Sequence, residues 1–280
     1  MTTRLAYFGP PGTNTEDAAL RYSHGGDYDL SPIPTITGVG LAVESGMADE
    51  GVLPIENTLE GAVPETLDLL IHAQKPLHIR GEIVLPIEHY LLAKPGVRAE
   101  DVKVIASIPQ ALAQCRGFIE RCFPKAEIEA ALSTAAAVEE VMSRDDAAAI
   151  GNKRAGELYG ANALAEGIQD RNPNHTRFVI IGREDAEPTG DDRTSIAFTF
   201  GHEDKPGMLV TALNEFSRRS INLSKIESRP SKVRLGTYIF LADLAGHRKD
   251  PPLAEALAVI EKDCSFYRVL GSYPRYRENG

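Results

Sequence analysis

The stretch "GREDAEPTGDDR", residues 182–193, decides how the rest of the chain divides. It is acidic, carries Pro and Gly and holds almost no apolar residue, so it reads as a linker between packed regions. On its N-terminal side, strand-like and helix-like patterns alternate. Strands are expected at 5–8, 51–54, 83–93, 104–106, 147–150 and 178–181, and helices at 15–22, 37–48, 64–73, 109–122, 134–143 and 153–160. Such alternation predicts an α/β fold with largely parallel sheets. On the C-terminal side the order changes. "TSIAFTFGH" reads as a strand and "PGMLVTALNEFSRRS" as a helix with Met208, Leu209, Ala212, Leu213 and Phe216 on one face. "INLSKIESRP" and "LGTYIFLADL" read as strands, "PPLAEALAVIEKDC" as a helix and "FYRVLGSYP" as a last strand. The order β-α-β-β-α-β is the ferredoxin-like α+β arrangement.

Bulk properties narrow the class. The chain has 280 residues, 42% hydrophobic and 25% charged, an ordinary globular composition with room for two domains. "MTTRLAYFG" lacks the charged start and apolar stretch of a signal peptide, and no apolar run approaches a membrane span. The formal net charge of −10 argues against a nucleic-acid partner, which wants a basic surface. The three cysteines, Cys115, Cys122 and Cys264, cannot all pair within one chain. Cys115 and Cys122 fall with Leu112, Phe118 and Ile119 on the expected buried face of the 109–122 helix, and a reducing cytoplasm is the natural setting. No His-Glu-x-x-His, zinc-type spacing or Gly-x-Ser-x-Gly elbow appears, so metal and serine-hydrolase chemistry are not expected.

Four helix starts follow strands. In "LAYFGPPGTNTEDAAL", Thr13-x-x-Glu16 has capping-box form, and free N–H groups at such a start also attract an anion. In "VLPIENTLEGAVPETLDLL", Glu56, Asn57 and Thr58 stand at a strand end, where open α/β sheets place ligand contacts; an Asx turn is the plainer reading. Ser107-x-x-Gln110 again has capping-box form, and Gln110 and Gln114 stack one turn apart beside it. "LSTAAAVEEV" offers Ser133 or Thr134 as an N-cap. Polar starts collected in one region suit a ligand with more than one carboxylate. "RNPNHTRFVII", 171–181, loads Asn174, His175, Thr176 and Arg177 onto the lip of a buried strand. A lone histidine such as His89 or His175 reads as a structural hydrogen-bonder.

In order and spacing, "AYFGPPGTNTEDAA", "GVLPIENTLEGAVPETLDLL", "SIPQALAQC", "STAAAVEEV", "AAIGNKRAGELYG" and "NHTRFVIIG" resemble prephenate dehydratase. The tail, with "KPGMLVTALNEF" and "INLSKIESRPS", resembles an ACT regulatory domain. The resemblance implies a two-lobed, periplasmic-binding-protein-like catalytic region over 1–181, with one lobe at about 1–77 and 161–181 and the other at about 78–160. A linker at 182–193 and an ACT domain at 194–280 complete it. It further implies conversion of prephenate to phenylpyruvate without a redox cofactor or metal. L-phenylalanine is implied as effector, and a homodimer or homotetramer as the assembly. No chorismate mutase segment precedes the motifs, so a monofunctional enzyme is expected. Arogenate dehydratase and a non-catalytic amino-acid-responsive binding protein are the alternatives.

By motif matching, the resemblance makes Thr176, Arg177 and Phe178 the catalytic signature, with Thr176 as hydrogen-bond donor to the leaving hydroxyl. Arg177 either orients a carboxylate or stabilises the cleft, and Phe178 packs the strand root. Glu56, Asn57, Thr58, Ser107, Gln110, Gln114, Thr13 and Thr15 become substrate contacts. For phenylalanine the implied contacts are Gly207, Met208, Leu209, Val210, Asn222, Leu223, Glu227, Ser228, Arg229 and Pro230. Three departures from the family pattern stand out. Asn14 replaces an aromatic in the first loop, Ile108 stands where many members carry His, and Met208 replaces an alanine.

Overall fold

A computed structural model describes residues 2–200, 206–232 and 236–277. The elements begin with β1 (Thr3–Phe8), α1 (Asn14–Tyr22), β2 (Tyr28–Ile33), α2 (Ile36–Ser45), β3 (Glu50–Asn57), β4 (Gly61–Ala62), α3 (Pro64–His72) and β5 (His78–Pro86). They continue with β6 (Tyr90–Ala93), β7 (Val104–Ser107), α4 (Pro109–Gln114), α5 (Arg116–Cys122), β8 (Glu127–Ala130), α6 (Thr134–Val141), β9 (Ala147–Gly151), α7 (Lys153–Tyr159), β10 (Asn162–Ala165) and β11 (His175–Gly182). The last are β12 (Asp192–Phe200), α8 (Met208–Arg218), β13 (Leu223–Pro230), β14 (Tyr238–Ala245), α9 (Pro251–Asp263) and β15 (Cys264–Pro274).

They build three sheets. The first runs β2-β1-β3-β11-β5 with β4 on β3, the second β10-β6-β9-β7-β8, and the third β13-β14-β12-β15. Parallel pairing joins β1 to β2 and β7 to both β8 and β9, whereas β6 pairs antiparallel with β9 and β10. The sheets are therefore mixed rather than largely parallel. The chain divides into two compact units, one of Met1–Val39, Gly51–Val63 and Ile83–Phe178, the other of Gly40–Glu50, Pro64–Glu82 and Val179–Gly280.

Within the first unit the expected strand 83–93 is broken. Pro86 ends β5, and Ile87, Glu88 and His89 carry the chain from the first sheet to the second before β6 begins. Proline lacks the N–H that would continue a ladder, which places the crossing here rather than near 77. The return crossing runs between β10 and β11. The two crossings are stitched together: Ile87 N–H donates to Asn174 O at 2.8 Å and Ile168 N–H to His89 O at 3.0 Å. The expected helix 109–122 is also broken, at Cys115, where φ −112° and ψ 13° depart from helical values. Cys115 is fully buried in the core with Leu91, Ile105, Ala148 and Ile150, but the break turns Cys122 out to solvent, against the expected stripe.

In the second unit the third sheet carries α8 and α9 in the β-α-β-β-α-β order expected. Ala212 and Phe216 of α8 are buried against Ile196, Phe198, Leu253 and Leu257, with Met208, Leu209 and Leu213 packed at the margin, so the amphipathic face reads correctly. The end of the strand expected at "TSIAFTFGH", Gly201 and His202, and the start of "LGTYIFLADL", Leu235, lie outside the described residues. The acidic segment before β12 is anchored at several points. Arg183 donates to the carbonyls of Val43 and Ala48, Asp185 pairs with Arg248 and His78, and Asp192 accepts from Thr189 and Gly190.

Candidate active site

The site is laid out by the period of two along β11 and the segment just before it. Asn174 (3% exposed), Thr176 (9%) and Phe178 (2%) turn to one face, His175 and Arg177 to the other. Beside it in the first sheet, β3 ends at Asn57, and the two strand ends are stitched. Thr58 N–H donates to His175 O at 2.9 Å, and His175 N–H donates to Thr58 Oγ1 at 3.0 Å. Asn57 Oδ1 accepts from the N–H groups of Leu59 and Glu60 at 2.9 and 3.1 Å, which is the Asx turn that its type and position allow. That turn fixes the amide, so Nδ2 faces β11 and donates to Thr176 Oγ1 at 2.9 Å and to Asn174 Oδ1 at 2.8 Å. One Asn57 side chain thus makes the turn on its oxygen side and reaches β11 and the cavity wall on its nitrogen side. A hydroxyl oxygen that accepts from Asn57 points its own hydrogen elsewhere, as a donor should.

Thr176 opens onto a cavity of about 400 Å³ within the first unit. Thr13, Thr15, Asn57, Gln110, Gln114, Thr176 and Phe178, all expected at the site, line it together. Ring-sized apolar surface comes from Phe8, Pro34, Ile36, Pro54, Val63, Ile87 and Ile108. The starts of α1 and α6 also reach it. Thr13 caps α1 by accepting from Glu16 N–H at 3.4 Å, and Ser133 caps α6 by accepting from Ala136 N–H at 2.9 Å. Among the described residues that line the cavity there is no Asp, Glu, Lys or Arg. An anion here is met by helix N-termini, hydroxyls and amides.

The Thr13 box is completed differently from its sequence form. Glu16 does not return to the Thr13 N–H; its carboxylate accepts from Gly12 N–H at 2.8 Å, Arg154 Nε at 2.9 Å and Tyr7 OH at 3.4 Å. Burial alone would raise the Glu16 carboxyl, but the bonds from Arg154 and Gly12 outweigh it and hold the group below the usual carboxylate range. Burial and the Glu16 charge push the Tyr7 phenol up to about 12.

Four expected contacts stand off the cavity. Ser107 is fully buried inside β7 and donates to Ile150 O at 2.7 Å, so it ties β7 to β9 and caps nothing. The N-cap of α4 is Ile108, followed by Pro109, and it is Ile108 that faces the cavity. Arg177, its side chain 11% exposed, pairs with Glu56 at 3.5 Å on the face of β11 opposite Thr176, because neighbours in a strand alternate. Of the two roles open to it, the placement fits bracing the strands. Thr58 joins strand ends. Conversely, His89 lines the cavity and Asn174 joins two of its lining amides, Asn57 and Gln114, although neither was expected there. His89 Nε2 meets Gln114 Oε1 at 2.8 Å. Burial holds its imidazole below the usual range against the opposing pull of the Gln114 bond. Alternation back from Thr176 would have exposed Asn174; His89 carries no local signal.

Among the described residues no cluster of three or more His, Cys, Asp or Glu is placed to hold a metal, and no helix is long and apolar enough to cross a membrane. In the second unit Gly207, at φ +94°, opens α8, and Met208, Leu209 and Val210 form its first turn. Leu223, Glu227, Ser228, Arg229 and Pro230 lie on β13 with Asn222 just before it. Gly207 and Met208, but not the β13 residues, line a cavity of about 150 Å³ with Phe200, Thr211, Glu215 and Ile260. Arg229 donates to Asp68 at 2.9 Å and to Pro64 O at 3.1 Å, and Lys232 donates to Asp68 at 2.7 Å. Burial would raise the Asp68 carboxyl, but the Lys232 bond and the Arg229 charge hold it below its ordinary value.

These features define a class: a two-lobed α/β protein whose cleft takes a small organic anion, joined to a ferredoxin-like regulatory module. The prephenate dehydratase profile matches residues 5–186 and the ACT domain profile residues 196–262. The chain is 42% identical over 283 residues to a curated prephenate dehydratase of Mycobacterium sp. (strain JLS), covering 97% of this chain and 89% of that one. Among solved structures it resembles the prephenate dehydratase of Arthrobacter aurescens in complex with L-Phe. The TM-score is 0.87 and the identity 37%, over 98% of this chain and 90% of that one. It also resembles GqqA, described as a novel type of quorum quenching acylase, with TM-score 0.83 and 32% identity over 98% of both chains. The chain belongs to the prephenate dehydratase family, lyases that decarboxylate and dehydrate prephenate, and it carries the family's periplasmic-binding-protein-like fold and an ACT domain.

Proposed function

We propose that the cleft converts prephenate to phenylpyruvate, with Thr176 donating a hydrogen bond to the departing hydroxyl. The bond from a ring carbon to its carboxylate breaks and carbon dioxide leaves. Its electron pair enters the ring, the opposite carbon–oxygen bond breaks, and hydroxide departs and takes up a proton to become water. No electrons enter or leave overall, so the protein's work is alignment and preorganised donors. One observation carries this reading: Thr176 Oγ1, in the wall of a cavity of substrate size, accepts from an Asn57 amide locked by two backbone N–H groups. Threonine is a weak acid, and as a hydrogen-bond donor that strengthens as charge develops it need lose no proton. Gln110, Gln114, Thr13, Thr15 and the starts of α1 and α6 meet the carboxylates, Asn57 holds the Thr176 hydroxyl beside the substrate, and Phe178 with Ile36 and Phe8 flanks the ring.

The test is a direct assay of the purified chain, following phenylpyruvate from prephenate and phenylalanine from arogenate. Higher kcat/KM on arogenate would overturn the substrate assignment; no turnover of either would favour a binding protein. Acylase chemistry finds less support, since His89 Nε2 bonds Gln114 rather than a hydroxyl, and Cys115, Cys122 and Cys264 stand outside the cavity lining. The working division is a catalytic region at 1–181, a linker at 182–193 and an ACT domain at 194–280.

For regulation, L-phenylalanine binds the ACT domain at the Gly207–Val210 turn and the Glu227–Pro230 segment, and a homo-oligomer pairs these modules. Support comes from the A. aurescens relative in complex with L-Phe, and from β13 as an edge strand with Ile226 exposed on it and Val210 exposed on the first turn of α8. A cytoplasmic setting suits this biosynthetic role. Light scattering with and without L-phenylalanine, beside turnover at saturating L-phenylalanine, checks both claims; a monomer with unaffected turnover would refute them.

A further inference from the structure

An amide side chain presents a donor on one side and an acceptor on the other, so a cleft that grips an anion with amides must stop them from turning over. Here the orientation of three linked amides, those of Asn57, Asn174 and Gln114, follows from the two backbone N–H groups on Asn57 Oδ1. With that oxygen taken, Asn57 Nδ2 faces Asn174, so Asn174 Oδ1 is the acceptor and its Nδ2 faces Gln114 Oε1 at 3.1 Å. Gln114 Nε2 then points to Glu60 Oε1 at 3.1 Å, and Gln114 Oε1, already an acceptor, must receive a hydrogen from His89 Nε2 at 2.8 Å. Burial keeps the His89 ring neutral, so its single hydrogen is on Nε2.

We propose that His89 and Asn174 are positioning residues, which together saturate Gln114 Oε1 and so lock Gln114 with its N–H groups turned to Glu60 and to the substrate. Gln114 Nε2 has two hydrogens; one goes to Glu60 and the other serves the substrate anion. A reversed Gln114 would set a carbonyl oxygen against that anion. Both positioning residues belong to the two crossings between the sheets: His89 on the outward one, with its N–H on Gln169 Oε1 at 2.9 Å, and Asn174 at the end of the return. The lock is therefore built where the lobes join. This inference rests on the prephenate reading of the cleft, but part of its test does not.

In the free protein, nitrogen-15 NMR should find the His89 hydrogen on Nε2; a ring protonated on Nδ1 alone overturns the inference whatever the enzyme turns over. In turnover, Asn174→Asp keeps the shape but replaces a donor with an acceptor facing Gln114 Oε1. It should lower kcat/KM about 10- to 100-fold, the worth of a hydrogen bond governing a charged group, through both KM and kcat, while the melting temperature stays within a few degrees. His89→Leu removes the other donor and should lose a similar factor. His89→Gln, which carries an N–H near the Nε2 position, should exceed His89→Leu by about tenfold. Equal losses in the Leu and Gln variants mean that the ring only packs, and Asn174→Asp within threefold of wild type means that Gln114 needs no lock; either overturns the inference. If Asn174→Asp fails to fold, the His89 pair decides. If wild type leaves prephenate untouched the functional reading falls, and the NMR result still judges the lock.

Discussion

Replacing Thr176 with Val separates the chemistry from the fold. Valine has the shape of threonine, so no cavity opens at this buried position and the β-branched rotamer preference of a strand residue is kept. The change removes one acceptor for Asn57 and one donor for the substrate. Asn57 Nδ2 keeps Asn174 Oδ1 at 2.8 Å and His175 O at 3.1 Å, so neither of its hydrogens is stranded. The loss to stability is then that of one exchanged hydrogen bond, about 1 kcal/mol, or a fall in melting temperature of roughly 2–4 °C for a chain of this size. Losing a preorganised donor to a developing oxyanion is far more serious, about 2.7–4 kcal/mol of barrier or roughly 100- to 1,000-fold in kcat. KM should move little, since the donor strengthens only as the hydroxyl leaves. Thr176→Ser retains the oxygen and should stay within about tenfold of wild type. Phenylpyruvate release measures turnover, and circular dichroism follows melting in a chain with no tryptophan. A Val variant with kcat within fivefold of wild type would refute the donor role. One that melts far below wild type would refute the claim that the hydroxyl is dispensable for folding.

Other sites give independent checks. At Gly271, φ +152°, an added Cβ would stand 2.1 Å from Ile79 O and 2.5 Å from Ile79 N, both backbone atoms that cannot swing aside. Gly271→Ala should therefore cost upwards of about 3 kcal/mol in urea unfolding, and a loss under about 1 kcal/mol would contradict the packing. His89 has its folded pKa depressed below the ordinary 6.5 by burial, so the unfolded chain binds the extra proton first as pH falls. Its contribution to stability is complete above pH 6.5 and is lost as pH drops through the folded value; His89→Gln should flatten that part of the stability curve, and an unchanged slope there would count against it. Glu16 is likewise depressed from 4.5, so its contribution stands above that pH and fades below it. Glu16→Gln, which strips Arg154 of its carboxylate, should cost about 1–3 kcal/mol at neutral pH and far less in acid. Equal losses at both pH values in chemical denaturation would exclude the linkage.

Much of the fold was legible because buried strands and amphipathic helices advertise their period. The α8 stripe and the β-α-β-β-α-β order came directly from apolar spacing. Besides the two-residue β4, the strands left unread were β2, β8 and β10, and each of these three ends its sheet path. An edge strand has a neighbour on one side only and can be polar, as "YDLSPI" and "EIEA" are, so apolar runs do not mark it. Breaks at Pro86 and Cys115 were lost inside longer apolar patterns. At the site, the helix starts and the Thr176 signature were visible as motifs, but the contacts joining them were not. Asn57 and Thr176 are 119 residues apart, and only the adjacency of β3 and β11 brings their side chains together. Arg177 and Ser107 sit within those motifs but turn away from the cavity, a distinction that pleat and register make and residue type does not.

A chamber walled by dipoles, with no Asp, Glu, Lys or Arg among its described lining residues, also shapes the release of product. An arginine that had gripped the lost carboxylate would be left desolvated and unmatched once the gas escaped, and would tend to retain a new counterion. Amide and hydroxyl groups rehydrate cheaply instead, so the vacated end can fill with solvent while the monoanionic product slips out. Because such a grip uses short-range oriented contacts, it is also less exposed to ionic screening than a surface ion pair, and occupancy should hold up in concentrated salt.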